Sequence, residues 1–83
     1  MKLVYIRWID SSGTTGIWNS PEQILNSSSS LHCVSVGWVL GEDKQSITFV
    51  AHLSKTGTAG GDLTIPKRAI LSMKEIKGYR ESL

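Results

Sequence analysis

Two neighbouring stretches of the chain carry residue types suited to binding an anion. Successive glycines accept φ > 0, so their backbone N–H groups can converge on an anion, and threonine hydroxyls add further donors. Two cations follow a few residues later and would add positive charge. The pattern predicts an anion-binding loop, with a mobile hairpin loop and a partner-contact loop as the alternatives. The predicted ligand-binding residues are Thr56, Gly57, Thr58, Gly60, Gly61, Lys67 and Arg68.

This glycine run is not a P-loop, because the spacing G-x-x-x-x-G-K-[ST] is absent and no helix follows to supply a dipole. A nucleotide would also need an aromatic side chain to stack on its base. Trp8 and Trp38 lie within predicted strands and are expected in the core or at its rim. Trp18 precedes a helix start and is least committed to the core, so it is the first candidate for stacking and Tyr5 the second.

Catalytic chemistry has little support in the sequence. His32, Cys33 and His52 are the only nucleophile-and-base set, and neighbours on a strand point to opposite faces. A zinc site needs three or four ligands at workable spacing, and no C-x-x-C pair is present. We therefore expect a binding protein that is not an enzyme and that holds no metal and no cofactor.

The elements that would position these residues are strands. Leu63 and Ile65 have strand spacing, and Pro66 ends that strand because it fixes φ and donates no ladder hydrogen bond. Lys67, Arg68 and Ala69 fit one tight helical turn before the chain extends again. Strand, single 3₁₀ turn and short strand is how small Src-homology-3-like and Sm-like barrels close.

Three further strands are predicted upstream, at 3–9, 32–40 and 46–54, with a loop at 55–62. Gly37 inside the second of them indicates a sharp bend or a close backbone approach. In the third, alternation points Ile47 and Phe49 inward and Thr48 and Val50 outward. Together these features predict an all-β fold with one short helical insertion, a five-stranded barrel of Src-homology-3-like or Sm-like type.

The helical insertion has a specific start signal. Ser20 can cap the helix, Pro21 suits its first position, and Gln23 completes an S-x-x-Q capping box. Ile24 and Leu25 are expected to lie against the barrel. A polar loop at 10–16 precedes the helix, a serine-rich loop at 27–30 follows it, and the tail at 78–83 is expected to fray.

Size and charge limit what the domain can be. The 83 residues form one predicted domain, 1–83, whose core is thin, and the net charge of +2 is too small to indicate nucleic acid by itself. The single cysteine excludes an internal disulfide and fits a reducing compartment. The apolar stretch before Arg7 is too short for a signal peptide or a membrane span, so we expect a cytosolic protein without membrane contact.

Four short motifs carry a resemblance to known proteins: Trp8-Ile9-Asp10-Ser11, Trp18, Ser35-Val36-Gly37-Trp38 and Gly61-Asp62-Leu63-Thr64-Ile65-Pro66. Together they resemble a group of small bacteriophage and prophage proteins without an assigned activity. The resemblance implies a phage origin, the cytoplasm of the bacterial host, and a small accessory binding protein. Proteins of that kind often antagonise host defence or regulate host machinery.

Three functions remain open at this point. The sharpest is capture of an anionic, nucleotide-type ligand as an anti-defence sponge, for which a homo-oligomer assembled through edge strands would help enclose the ligand. The second is a protein-contact module that inhibits or recruits a host protein. The third is weak RNA or DNA binding through the basic C-terminal region.

Overall fold

The computed structural model describes residues 1–11, 18–27 and 29–78. Its elements are β1 (Leu3–Asp10), α1 (Pro21–Ser27), β2 (Leu31–Glu42), β3 (Ser46–Leu53), β4 (Ala59–Pro66), a 3₁₀ turn (Lys67–Ala69) and β5 (Ile70–Glu75). The all-β class with one short helical insertion is confirmed. The polar loop expected at 10–16 and the frayed tail expected at 78–83 lie mostly outside the described residues.

The five strands form one antiparallel sheet in the order β4-β3-β2-β1-β5. The chain runs as a meander from β1 to β4, and β5 then returns to pair with β1 on the side opposite β2. Strands β4 and β5 are therefore the two edges. Among the described residues no ladder joins those edges, so the sheet is not closed.

The short link between the two edges requires the sheet to coil. Ile65 of β4 pairs with a β3 residue whose partner on β2 is Glu42. Ile70 of β5 pairs with a β1 residue whose partner on β2 is Cys33. Cys33 and Glu42 are nine residues apart on β2, which is about 30 Å of strand. The five residues from Ile65 to Ile70 reach at most about 17 Å. Only a strongly coiled sheet brings these two points so close.

The core lies on the inner face of this coiled sheet. Five buried side chains form it: Val4, Ile6, Ile47, Phe49 and Ile65. The side chains of Trp8, Val39, Ala69 and Ile70 pack against its border. We call this side the core face and the opposite side the outer face.

Strand β2 presents its small residues to the core face. Cys33, Ser35 and Gly37 are the cross-strand partners of Trp8, Ile6 and Val4. The indole N–H of Trp8 donates to Ser35 Oγ at 3.0 Å, which satisfies the one polar group of that ring. The close approach predicted at Gly37 is confirmed, since a Cβ there would lie 2.7 Å from the Val50 carbonyl oxygen.

Three expectations from the sequence were wrong. Val50 was expected to point outward, yet its side chain is buried. The loop predicted at 55–62 is shorter, because Ala59–Asp62 already belongs to β4 and pairs with the end of β3. Helix α1 was expected to lie on the sheet, yet Leu25 is 74% exposed and Ile24 is exposed as well. The helix instead follows the last pair of the β1–β2 ladder, Asp10 with Leu31, at the end of the sheet.

Candidate anion-binding groove

A basic groove lies where the turn between β2 and β3 meets the 3₁₀ turn between β4 and β5. Its volume is about 530 Å³. Pairing of Ser46 with Pro66 brings the two turns together, and the Lys67 N–H donates to the Gln45 carbonyl at 2.7 Å. Six residues line it: Lys44, Gln45, Ser46, Pro66, Lys67 and Arg68. We call this feature the basic groove.

The turn that carries Lys44 is fixed by a carboxylate. Asp43 Oδ1 accepts the backbone N–H groups of Gln45 and Ser46, both at 2.8 Å, as in an Asx turn. The N–H of Gln45, with that of Ser46, holds the pKa of the Asp43 carboxyl below its usual value of 3.8. Lys44 therefore projects from a turn whose backbone is fixed on both sides.

The three cations of the basic groove differ in whether a carboxylate pairs with them. Lys67 Nζ lies 2.8 Å from Glu42 Oε2, and this hydrogen bond and charge hold the pKa of Glu42 below its usual value of 4.5. Within the described part of the chain, Lys44 and Arg68 take part in no ion pair. Their charges leave the groove electropositive even after Lys67 is offset.

The structure does not bring the predicted loop to these cations. Loop 54–58 follows the Leu53–Ala59 pair at one end of the β3–β4 hairpin, while the Ser46–Pro66 pair beside the basic groove marks the other end. The eight residues of β3 separate the two ends by about 24 Å. The single site predicted from the sequence is therefore two separate surfaces.

The donors of loop 54–58 are already engaged by Ser54. The Gly57 N–H donates to the Ser54 carbonyl at 3.2 Å, and the Thr58 N–H donates to Ser54 Oγ at 3.0 Å. The hydroxyls of Thr56 and Thr58 also hydrogen-bond with that oxygen. Gly60 lies in β4 opposite His52, and Gly61 follows it in the same strand. The loop is thus a turn closed on Ser54, which leaves less of it to offer an anion.

Neither predicted stacking residue lines the basic groove. Tyr5 lies on the outer face, between Val36 of β2 and Lys74 of β5. Trp18 is fully exposed ahead of α1. Sequence reasoning placed Lys67 and Arg68 but missed Lys44, because only the pairing of Ser46 with Pro66 brings the earlier turn beside them.

The other chemical candidates stay apart. His32 pairs with Ile9, while Cys33 faces Trp8 on the core face, so the two neighbours point to opposite sides as expected. Among the described residues no three His, Cys, Asp or Glu side chains are grouped as metal ligands would be. Within the same residues, no helix combines the length and apolar character that crossing a bilayer requires. Comparison with protein-family models, curated proteins and solved structures finds no match.

Proposed function

We propose that this protein is a non-enzymatic binding module that captures an anionic, nucleotide-type ligand in the basic groove. The observation that supports this most strongly is the meeting of Lys44, Lys67 and Arg68 from two separate turns. Groups so far apart in sequence converge because Ser46 of β3 pairs with Pro66 of β4. A cluster of cations beside a fixed turn attracts phosphate oxygens both electrostatically and through hydrogen bonds.

Each of the three cations that line the groove has a distinct part in this proposal. Arg68 presents a planar fork suited to two phosphate oxygens, and Lys44 acts as a mobile point charge. Lys67 exchanges part of its contact with Glu42 for the ligand. Since none of the described residues that line the groove is aromatic, phosphate carries most of the affinity. A base stacked on Tyr5 or Trp18 requires that side chain to come from a second copy.

Calorimetric titration of linear nucleotides, cyclic nucleotides and nucleotide-derived signals tests the proposal. Replacing both Lys67 and Arg68 with Glu should abolish binding, and Lys44→Glu with Arg68→Glu should do the same without disturbing the Lys67–Glu42 pair. Lys55→Glu, within the distant loop 54–58, is the matched control and should bind as wild type does. A wild-type protein that binds none of these ligands contradicts the proposal.

If Lys55→Glu removes binding while the groove variants retain it, the ligand belongs to loop 54–58 instead. The threonine-glycine loop would then supply the site, as the residues Thr56, Gly57 and Thr58 suggested from the sequence. Circular dichroism of each variant checks that a lost titration signal reflects binding and not unfolding.

We also propose that the coiled sheet is a barrel of the Src-homology-3-like or Sm-like type. The strand order, the single 3₁₀ turn between β4 and β5, and the large offset between the edge strands support this. The phage origin, the host cytoplasm and the anti-defence role rest on the sequence resemblance alone. Native mass spectrometry of protein purified from its host would show any nucleotide carried with it.

A protein-contact function is the second candidate, and the open sheet edges favour it. Leu71 and Met73 of β5 are about half exposed, and Leu63 of β4 is more than a third exposed. An added strand would satisfy the outer backbone groups of either edge and cover these side chains. The added strand could come from a host protein or from another copy in a homo-oligomer. Polar substitutions at Leu71, Met73 or Leu63 should abolish protein contact but leave anion binding in the groove unchanged.

A further inference from the structure

The outer face carries an exposed apolar patch flanked by cations. Cross-strand pairing places Tyr5 beside Val36 and Arg7 beside Val34, and Lys74 of β5 adjoins Tyr5 on the other side. Val34 and Val36 are about half exposed, and Tyr5 is more than a third exposed. We call these five residues the outer patch. Apolar side chains grouped on a sheet face usually mark a contact surface.

Helix α1 presents the complementary chemistry. Leu25 is 74% exposed, Ile24 is exposed, and Trp18 ahead of the helix is fully exposed. Glu22 lies in the first turn. Within the described residues, Glu22, Arg7 and Lys74 take part in no ion pair. The helix is thus apolar and acidic, while the outer patch is apolar and basic.

The helix is also too short to persist without tertiary contact. Seven residues are below the length at which isolated helices are stable in water. Its capping box is complete, since Gln23 N–H donates to Ser20 Oγ at 3.2 Å and Ser20 N–H donates to Gln23 Oε1 at 3.1 Å. Caps fix where such a helix begins, but burial of an apolar face supplies most of its stability.

We propose that a second copy of this chain completes both surfaces, each copy's α1 docking on the other's outer patch in a two-fold dimer. Leu25 and Trp18 would cover Val34, Val36 and Tyr5, with Glu22 beside Arg7 or Lys74. Helix α1 lies in the connection between β1 and β2, after the last pair of their ladder, and so belongs to one end of the sheet. A two-fold axis buries both helices and both patches at once. This interface contains no residue that lines the basic groove. It would cover Tyr5 and Trp18, so in this dimer phosphate contacts alone would hold a nucleotide in the groove.

Sedimentation velocity across a concentration series tests the dimer. Leu25→Glu and Val36→Glu, one change on each proposed surface, should each raise the dimer dissociation constant on the order of 30-fold. Leu40→Glu is the matched control, because Leu40 and Val36 lie on the same strand and are both 49% exposed. That variant should dimerise as wild type does. Circular dichroism and thermal unfolding verify that all three variants fold.

A mixing experiment distinguishes reciprocal docking from other dimers. Leu25→Glu keeps an intact outer patch and Val36→Glu keeps an intact helix, so a mixture should form heterodimers that neither variant forms alone. Likewise, Glu22→Arg should weaken the dimer and Glu22→Arg combined with Arg7→Glu should restore it.

Three results overturn the proposal. Wild type that stays monomeric throughout the series shows that α1 packs on no second copy. A dimer that survives Leu25→Glu uses another surface, such as the sheet edges. If both variants disrupt the dimer but do not complement each other, the helix of one copy does not contact the outer patch of the other. Nucleotide titration of the same variants keeps this test separate from that of the groove.

Discussion

Gly37 is the residue whose replacement has the clearest structural consequence. A Cβ at this position would lie 2.6 Å from the Phe49 ring and 2.7 Å from the Val50 carbonyl oxygen. The ring belongs to the core and the oxygen to the neighbouring strand, so neither can move without disturbing β3. We expect Gly37→Val to lower the free energy of unfolding by roughly 1–3 kcal/mol, measured by denaturant titration.

Gly41→Val is the matched control on the same strand. No atom lies within 4 Å of its added Cβ. The substitution should change the unfolding midpoint very little. Equal effects at Gly37 and Gly41 would show that strand propensity, and not the contact with β3, determines the loss.

Asp43 predicts an acid-side dependence of stability. Its pKa in the folded protein is below the usual value of 3.8, because the ionised carboxylate accepts backbone N–H groups. A lowered folded-state pKa contributes stability above the unfolded-state value, and this is lost as the pH falls through the folded-state pKa. Glu42, with its own lowered pKa, acts in the same direction.

We therefore expect the unfolding midpoint to fall as the pH drops from about 6 to about 3. Asp43→Asn should reduce this dependence, because the amide oxygen still accepts the two N–H groups but has no carboxyl to titrate. Denaturant melts at each pH provide the measurement. A parallel loss in wild type and variant would assign the acid sensitivity to other carboxyls.

At the scale of elements, local chemistry made several features predictable. Pro66 ends β4, the next three residues form the 3₁₀ turn, and the Ser20–Gln23 capping box starts α1. Each of these depends on a few adjacent residues, whose φ preference or hydrogen bonding is intrinsic. The strands followed from alternation for the same reason.

Features that depend on long-range pairing were not predictable. The extension of β4 through Gly60 and Gly61 comes from pairing with β3, which overrides the turn preference of glycine. The approach of Lys44 to Arg68 requires the β3–β4 register, in which Ser46 pairs with Pro66. Local sequence describes each turn but not the distance between turns, so the candidate site was predicted only in part.

Two residues of β4 permit a test of how far the buried core extends along this strand. Ile65 and Leu63 both point to the core face, as partners of Ile47 and Phe49, but Ile65 is 1% exposed and Leu63 is 37% exposed. Ile65→Ala should cost about 2–5 kcal/mol of unfolding free energy. Leu63→Ala should cost clearly less, below about 2 kcal/mol. Similar losses at both positions would mean that the β4 edge is covered, as it would be in an assembly.

At the scale of the whole molecule, the cations that the structure describes form separate groups and not one continuous stripe. Three line the basic groove, while Arg7 and Lys74 lie on the outer face. Lys2 Nζ lies 3.8 Å from Glu75 Oε1, so the charge of Lys2 is partly neutralised. Nine Lys and Arg against seven Asp and Glu leave a net charge of +2. This distribution suits a short anion better than a long polyanion, because a long polyanion binds along a continuous row of cations.

The salt dependence of binding to a single-stranded oligonucleotide should separate these two possibilities. Each neutralised phosphate of a single strand contributes a slope of about −0.7 in log K against log salt, so contact with the three groove cations predicts a slope near −2. Fluorescence anisotropy at several salt concentrations measures it, and Lys44→Glu with Arg68→Glu should remove most of the signal. A slope steeper than about −4 requires more than five phosphate contacts, beyond what the groove supplies. If the slope is that steep and the variant with Lys44→Glu and Arg68→Glu still binds the oligonucleotide, nucleic-acid binding is favoured over capture of a small nucleotide.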